Sequence, residues 1–161
     1  MTHDDLVSVA ERWLMSQGCS FCFTGLVSLA SEIPDAIGFK DYSILIECKA
    51  SRSDFLSDGK KIFRRYPERG VGDVRFYMCE PGIINICDLP KKWGLLYVYG
   101  PRRVKKVMGL KSNVLTNDFA FEKNIYAEWV MMKSALRRIW NKSGFKDVYS
   151  DINGVLKEDR Q

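Results

Sequence analysis

The sequence has little of what several common enzyme classes require. It contains a single histidine, His3, which argues against a Ser-His-Asp triad or a Cys-His pair. It has no Gly-rich loop of the GxxxxGK(S/T) type, so nucleotide hydrolysis has no support. No apolar run approaches the roughly 20 residues that a membrane helix needs. The acidic start has no apolar stretch behind it, which argues against a signal peptide.

Cysteine is present in an odd number and at irregular spacing, which argues against a disulfide framework. Three of the five cysteines, Cys48, Cys79 and Cys87, lie in apolar runs, where a free thiol behaves as a small hydrophobic group. Cys19 and Cys22 form half of a zinc knuckle, but the second pair is missing. We therefore expect a reduced, cytoplasmic protein without structural zinc.

Charge is present in a mild excess of one sign. The 161 residues carry a formal net charge of +5, which is compatible with nucleic acid as a partner but does not require it. The basic residues are clustered in three groups: Lys60, Lys61, Arg64 and Arg65; Arg102, Arg103, Lys105 and Lys106; and Arg137, Arg138 and Lys142.

Hydrophobic periodicity predicts one α/β domain over residues 1–161, with a loosely held polar tail over 141–161. The expected order is helix, three strands, helix, strand, further β-structure and a C-terminal helix. This order gives a mixed sheet flanked by helices. The predicted elements are a helix over 5–17, strands over 20–30, 36–39 and 43–49, a helix over 52–66, strands over 74–79 and 83–87, a hairpin of 95–99 with 104–108, and a helix over 121–140.

Two short acidic motifs lie where strands are predicted to begin and end. Asp35 follows Pro34 at the start of one strand, and Glu47 and Lys49 end the next. Side chains alternate along a strand, so Glu47 and Lys49 point the same way. An antiparallel pairing of the two strands would bring Asp35 near Glu47. Two carboxylates suffice to hold Mg²⁺ or Mn²⁺, and a nearby lysine suits the handling of an attacking water at a phosphate.

The run Pro34-Asp35…Glu47-Cys48-Lys49 resembles the PD-(D/E)xK nucleases, which have the restriction-endonuclease-like fold, and is most similar to small phage-type members. The resemblance covers most of residues 3–100 and implies an αβββαβ core. It also implies that Asp35 and Glu47 bind the metal, that the Cys48 carbonyl adds a ligand and that Lys49 is catalytic. Many members carry a further glutamate on the first helix, for which Glu11 is the candidate. The alternative is a surface hairpin with cross-strand Glu/Lys pairs.

Further cations are candidate contacts for a nucleic-acid backbone. On a continuous helix over 52–66, Lys60 and Arg64 share a flank that has no acidic partner, so either phosphate contact or plain solvation explains them. On the same helix, Lys61 and Arg65 fall on the face of Asp54 and Asp58, and ion pairing with these acids is expected to explain both cations.

Arg103 and Lys105 lie beside tyrosines on the predicted hairpin. They fit nucleic-acid binding. Charge that protects an exposed strand edge explains them as well.

The sequence thus predicts a metal-dependent nuclease that hydrolyses DNA, with RNA left open and a homodimer possible. The alternative is a nucleic-acid-binding or protein-binding accessory module, such as a phage inhibitor or a repair factor, with a vestigial site on the same fold.

Overall fold

The computed structural model describes residues 1–27, 32–111 and 115–145. Its elements are α1 His3–Ser16, β1 Phe21–Thr24, β2 Ala36–Phe39, β3 Ser43–Cys48, α2 Arg52–Asp58, α3 Ile62–Arg65, β4 Val74–Cys79, β5 Gly94–Val98, β6 Val104–Met108 and α4 Ile125–Ser143.

The strands form one six-stranded sheet in chain order, from β1 to β6. The pairs β1–β2, β2–β3 and β5–β6 are antiparallel, whereas β3–β4 and β4–β5 are parallel. The parallel β3–β4 pair requires a crossover, and the segment that carries α2 and α3 provides it. The predicted α/β class, with a mixed sheet and helices at both ends of the chain, is confirmed.

Helix α1 covers one face of the sheet. Its first turn is fixed by a capping box, in which the Thr2 hydroxyl accepts from the Asp5 amide and the Asp5 carboxylate accepts from the Thr2 amide. Its buried stripe packs on alternate residues of β3 and β4, including Ile46 and Phe76. The stripe consists of Leu6, Val9, Ala10 and Leu14.

The opposite face of the sheet is covered by α2 and by the first half of α4. Leu45 and Tyr77, which alternate with the residues under α1, pack here against Phe55, Trp93 and Met131. Each large apolar side chain removed from water in this way contributes about 1.5–3 kcal/mol. Within the described residues, no helix combines the length and the apolar character needed to cross a bilayer.

Several predicted elements are confirmed closely and others are wrong. The strands β2, β4 and β6 have the predicted bounds. The first strand ends early, because Gly25 turns the chain with a φ of 59°. The strand predicted over 83–87 is absent; its C-terminal end enters a short 3₁₀ turn, Ile86–Asp88, in which the Asn85 amide donates to Asp88.

The helix predicted over 52–66 is interrupted after Asp58, and a second short helix begins at Ile62. Gly59 lies at the break and has a low helix propensity. Asp58 and the cations that follow it are held by contacts across the chain rather than along one helix axis. The continuous helix faces assumed from the sequence therefore do not exist.

The C-terminal helix begins at Ile125 rather than near Phe121 and continues to Ser143, so it includes residues 141–143 of the predicted tail. The remainder of that tail lies outside the described residues from position 146 onward. The buried residues of α4 are Ala127, Glu128 and Met131.

Candidate active site at the end of β3

Asp35 and Glu47 meet across the β2–β3 hairpin. Ala36 pairs with Ile46, so the same register continued by one residue sets Asp35 opposite Glu47. The Asp35 carboxylate also accepts a hydrogen bond from the Cys48 amide, with Oδ2 to N at 2.7 Å. The antiparallel pairing expected from the sequence is therefore present, and it holds Asp35 against the end of β3.

Glu47 and Lys49 lie on the sheet face that α2 and α4 cover, as strand alternation with Leu45 predicts. The Lys49 ammonium contacts Glu47 Oε2 at 3.1 Å. Both side chains are almost fully buried, whereas Asp35 is 19% exposed. Access from solvent to this end of β3 thus lies on the side of Asp35.

The crossover segment brings further charges to the same place. Asp58 contacts Lys49 at 3.1 Å, Lys61 at 2.8 Å and Arg64 at 2.6 Å. Arg64 also reaches Glu47 Oε2 at 3.3 Å and Glu32 Oε1 at 3.2 Å. We call this set of three carboxylates and three cations the β3 ion cluster: Glu32, Glu47, Asp58, Lys49, Lys61 and Arg64.

Burial and charge act in opposite directions on the two central carboxyls of the cluster. Burial raises the pKa of Glu47, and the charges of Arg64 and Lys49 only partly offset it, so the net pKa lies above its ordinary value. Burial also acts to raise the pKa of Asp58, but the charge and hydrogen bond of Arg64 and the charge of Lys49 outweigh it. The pKa of Asp58 therefore falls well below its ordinary value.

One oxygen of this cluster has no partner. Glu47 Oε2 receives all the contacts described above, while Glu47 Oε1 is buried without any hydrogen-bond donor. An unpaired buried carboxylate oxygen is costly, and a cation would satisfy it. Asp35 lies close enough that its charge raises the pKa of Glu47 further, after the stronger effects of burial and the nearby cations.

This donor set fits a hard divalent cation in a limited way. Mg²⁺ is often held by one or two carboxylates and keeps several waters, which Asp35 and Glu47 Oε1 would satisfy. Within the described part of the chain, no three His, Cys, Asp or Glu side chains are grouped to hold a metal. The protein therefore offers two carboxylates rather than a complete cage.

A residue of α1 does reach the site, but it is not Glu11. His3 Nε2 lies 3.2 Å from Asp35 Oδ1. Glu11 is eight residues further along α1, about 12 Å at 1.5 Å per residue. It lies beside β1, where burial and then the Glu11 charge raise the pKa of the Cys22 thiol. Glu11 is thus not brought together with Asp35 and Glu47.

The other predicted site residues have separate positions. The Cys48 side chain packs under α1, and its role as a backbone-carbonyl ligand stays a prediction. Lys60 is exposed at the break between α2 and α3, next to Lys61, and remains a candidate phosphate contact. Arg64 is enclosed by three carboxylates and by the ring of Trp93, 4.6 Å from its guanidinium.

Arg103 and Lys105 are not brought to the ion cluster. Lys105 belongs to β6, the outer strand, which is three strands from β3 and so about 14 Å away at 4.8 Å per strand. Arg103 immediately precedes β6 and lies over the ring of Tyr99 at 5.2 Å. Both residues are exposed at a strand edge, where charge discourages pairing with another chain.

Sequence reasoning did not place Glu32 at the site and gave Asp58 only an ion-pairing role. The predicted pairing of Lys61 with Asp58 is confirmed at 2.8 Å. That pairing was the available signal, since an acid and a base three residues apart mark contact across one turn. No local pattern indicates that both side chains turn inward to meet Glu47.

Comparison with known proteins gives a fold and no family. No family model and no curated protein sequence matches the chain. A solved structure described as the SPO1766 protein of unknown function from Silicibacter pomeroyi is similar, with a TM-score of 0.62 and 22% identity. The match covers 87% of this chain and 90% of that chain. At this identity the similarity establishes the shared fold alone.

Proposed function

We propose that the chain is a divalent-cation-dependent nuclease of the PD-(D/E)xK type that hydrolyses DNA phosphodiester bonds. The observation that carries the proposal is the unpartnered Glu47 Oε1 beside Asp35, two residues before a buried lysine on the same face.

Each residue of the site then has a distinct task. Asp35 and Glu47 would hold Mg²⁺ or Mn²⁺, with the Cys48 carbonyl as a further candidate ligand. When bound, the cation would lower the pKa of a water and offset the charge that develops on the phosphate. The contacts of Lys49 with Glu47 and Asp58 fix its ammonium, so it is preorganised to orient the attacking water. His3 Nε2 lies 3.2 Å from the second oxygen of Asp35 and, when protonated, would pair with it.

The test compares two aspartates of one hairpin. Asp35→Asn keeps the shape of the site residue, and Asp41→Asn changes an exposed aspartate at the turn between β2 and β3. Supercoiled and linear DNA are incubated with each protein, with and without Mg²⁺. We expect Mg²⁺-dependent cleavage that falls at least about a hundred-fold in Asp35→Asn and is unchanged in Asp41→Asn.

A second pair tests the lysine. Lys49→Gln removes the buried ammonium, and Lys91→Gln removes an exposed one in the turn before β5. We expect loss of cleavage in the first variant only, with thermal unfolding used to verify that both are folded. Wild-type protein that leaves DNA intact with every divalent ion tried, or Asp35→Asn protein that cuts as well as wild type, would refute the nuclease.

One observation favours the second candidate, an accessory module with a vestigial site. The three cations of the ion cluster already balance its three carboxylates, and Lys61 and Arg64 occupy Glu47 Oε2. Metal-independent DNA binding that Asp35→Asn leaves unchanged, without cleavage, would support a nucleic-acid-binding module. Capture of a protein partner without nucleic acid would support an inhibitor.

A further inference from the structure

The surface of α4 that faces away from the sheet is built from rings and cations. At 100° per residue, the buried Ala127 and Met131 define the inner side of the helix. The opposite side carries exposed aliphatic residues, Ile125 and Leu136 among them, and also five aromatic and basic residues at spacings of three or four. We call this set the outer face of α4: Tyr126, Trp129, Lys133, Arg137 and Trp140.

Three large aromatic side chains on this face are more exposed than buried. Tyr126 is 62% exposed, Trp129 53% and Trp140 58%. A ring of this size normally buries 150–250 Å² in a core or an interface. Exposed aromatic rings that are grouped rather than scattered mark a surface for a partner.

The exposed charged residues of α4 all have one sign. Lys133, Arg137, Arg138 and Lys142 are all exposed. Glu128 is the one acid between the two ends of α4, and it is buried, where it accepts from Ser43 Oγ and the Gly72 amide. A second copy of this chain would set like charges against each other, so the surface complements an anionic partner.

Rings and cations are in direct contact on this face. Tyr126 and Trp129 are stacked, with an interplanar angle of 13°, and Lys133 Nζ lies 4.8 Å from the centre of the Trp129 ring. A helix that inserts into a membrane surface keeps its cations on a polar face away from its apolar one. Rings with cations beside them suit unpaired nucleic acid, whose bases stack on rings while its phosphates meet cations.

We propose that the outer face of α4 binds single-stranded DNA, with bases stacked on Trp129, Tyr126 and Trp140 and phosphates held by Lys133 and Arg137. The choice of DNA over RNA rests on the proposed function, whereas the single-stranded form follows from the exposed rings. The face lies on a helix that packs on the same side of the sheet as Glu47.

The experiment is a binding titration in EDTA, so that cleavage plays no part. A labelled oligodeoxythymidine of about 16 nucleotides is titrated with full-length wild type, Trp129→Leu, Trp140→Leu, Arg137→Ala and Arg138→Ala. Leucine keeps an apolar side chain and removes the ring. Arg138 is the matched control, because it is also an exposed cation and lies one residue away from Arg137, on another side of the helix.

We expect each Trp→Leu change to raise the Kd about ten-fold. Arg137→Ala should lower the slope of log K against log salt by about 0.7, the value for one phosphate on a single strand. Arg138→Ala should leave the slope unchanged. All four substitutions are at exposed positions, so the circular dichroism spectrum of each variant should match that of wild type. Asp35→Asn should bind as wild type does, which separates this surface from the proposed catalytic site.

Several outcomes would overturn the proposal. Trp→Leu variants that bind as wild type does would exclude stacking. Equal affinity for a duplex, insensitive to the rings, would exclude a single strand. Tighter binding to the RNA of the same sequence through the same residues would show that the DNA assignment is wrong. Binding to anionic vesicles but not to the oligonucleotide, or a stable dimer that shields Trp129 and Trp140 from fluorescence quenchers, would assign the face to another partner.

Discussion

The end of β3 and the outer face of α4 each depart from the usual distribution of side chains, in which charges are exposed and large rings are buried. At the end of β3, carboxylates and cations are enclosed, with Glu47 and Lys49 buried to within a few percent. On α4, tryptophan rings are in solvent. Buried charge is costly unless it is paired, and exposed rings gain no free energy from burial. Neither arrangement is what folding alone favours.

The two regions also differ in what removal of a side chain leaves behind. A charge taken from the ion cluster leaves its partners buried and unpaired, so the fold is affected. A ring taken from α4 leaves only a smaller exposed side chain. We therefore expect large stability effects at β3 and small ones at α4, and four measurements test that contrast, from the largest effect to the smallest.

The largest effect is expected for Arg64→Leu. Glu32, Glu47 and Asp58 would lose a shared partner in a buried setting, so the free energy of unfolding should fall by about 3–5 kcal/mol. Arg65→Leu, at the neighbouring exposed position, should change it by less than about 0.5 kcal/mol. Urea unfolding measures both. An equally small change in the free energy of unfolding for both variants would mean that the contacts of Arg64 in the ion cluster do not stabilise the fold.

Asp58→Asn should cost about 2 kcal/mol at neutral pH, because Asn has no charge to pair with Lys49 and Arg64 and replaces one of the two accepting oxygens with a donor. The folded pKa of Asp58 is depressed, so its stabilisation is present above the ordinary value of 3.8 and is lost as the pH falls through the folded value. The wild-type advantage should thus shrink below about pH 4. A pH series of urea titrations checks this, and an advantage that stays constant in acid would contradict it.

Added Mg²⁺ should raise the unfolding free energy of wild type by about 1.4 kcal/mol when present at ten times its Kd. Asp35→Asn should lose this gain, and Asp41→Asn should keep it. Thermal unfolding with and without the ion gives the measurement. An identical shift in all three proteins would point to a general salt effect instead of a site at Asp35.

The smallest effect is expected for Trp129→Leu and Trp140→Leu in the absence of nucleic acid. Both side chains are mostly in solvent, so the free energy of unfolding should change by less than about 0.5 kcal/mol. A loss of more than about 2 kcal/mol would mean that these rings pack in the folded protein and would remove the contrast with the ion cluster.

The sequence was sufficient where local pattern decides the outcome. The strands of the β2–β3 hairpin alternate and have a turn between them, so their pairing and the position of Asp35 near Glu47 followed from strand geometry. The C-terminal helix followed from its apolar spacing. These features depend on neighbours within a few residues of one another.

The sequence was insufficient where distant contacts decide. Apolar spacing in the C-terminal helix indicates a buried stripe of six residues: Phe121, Ile125, Trp129, Met132, Leu136 and Ile139. Phe121 and Met132 pack against the core, whereas the other four are at least half exposed. The side that a helix buries depends on what it meets, and here Glu128 and Met131 meet the sheet. In the same way, the break after Asp58 depends on its partner Lys49 at the end of β3. The resemblance that made Glu11 a candidate on α1 did not reveal that His3 is the residue that contacts Asp35.

Glu128 accepts a hydrogen bond from Ser43 and so ties the first turn of α4 to the first residue of β3, the strand that carries Glu47 near its other end. Lys123 adds a second tie, to Asp73 before β4. The start of α4 is therefore tied to both β3 and β4, and a strand of DNA bound on α4, as proposed above, would be held at a set distance from Glu47. On this hypothesis the site cuts bound DNA at a preferred distance from the segment held on α4. Gel analysis of the DNA products should then show preferred fragment lengths, and fragments of all lengths in equal amounts would contradict it.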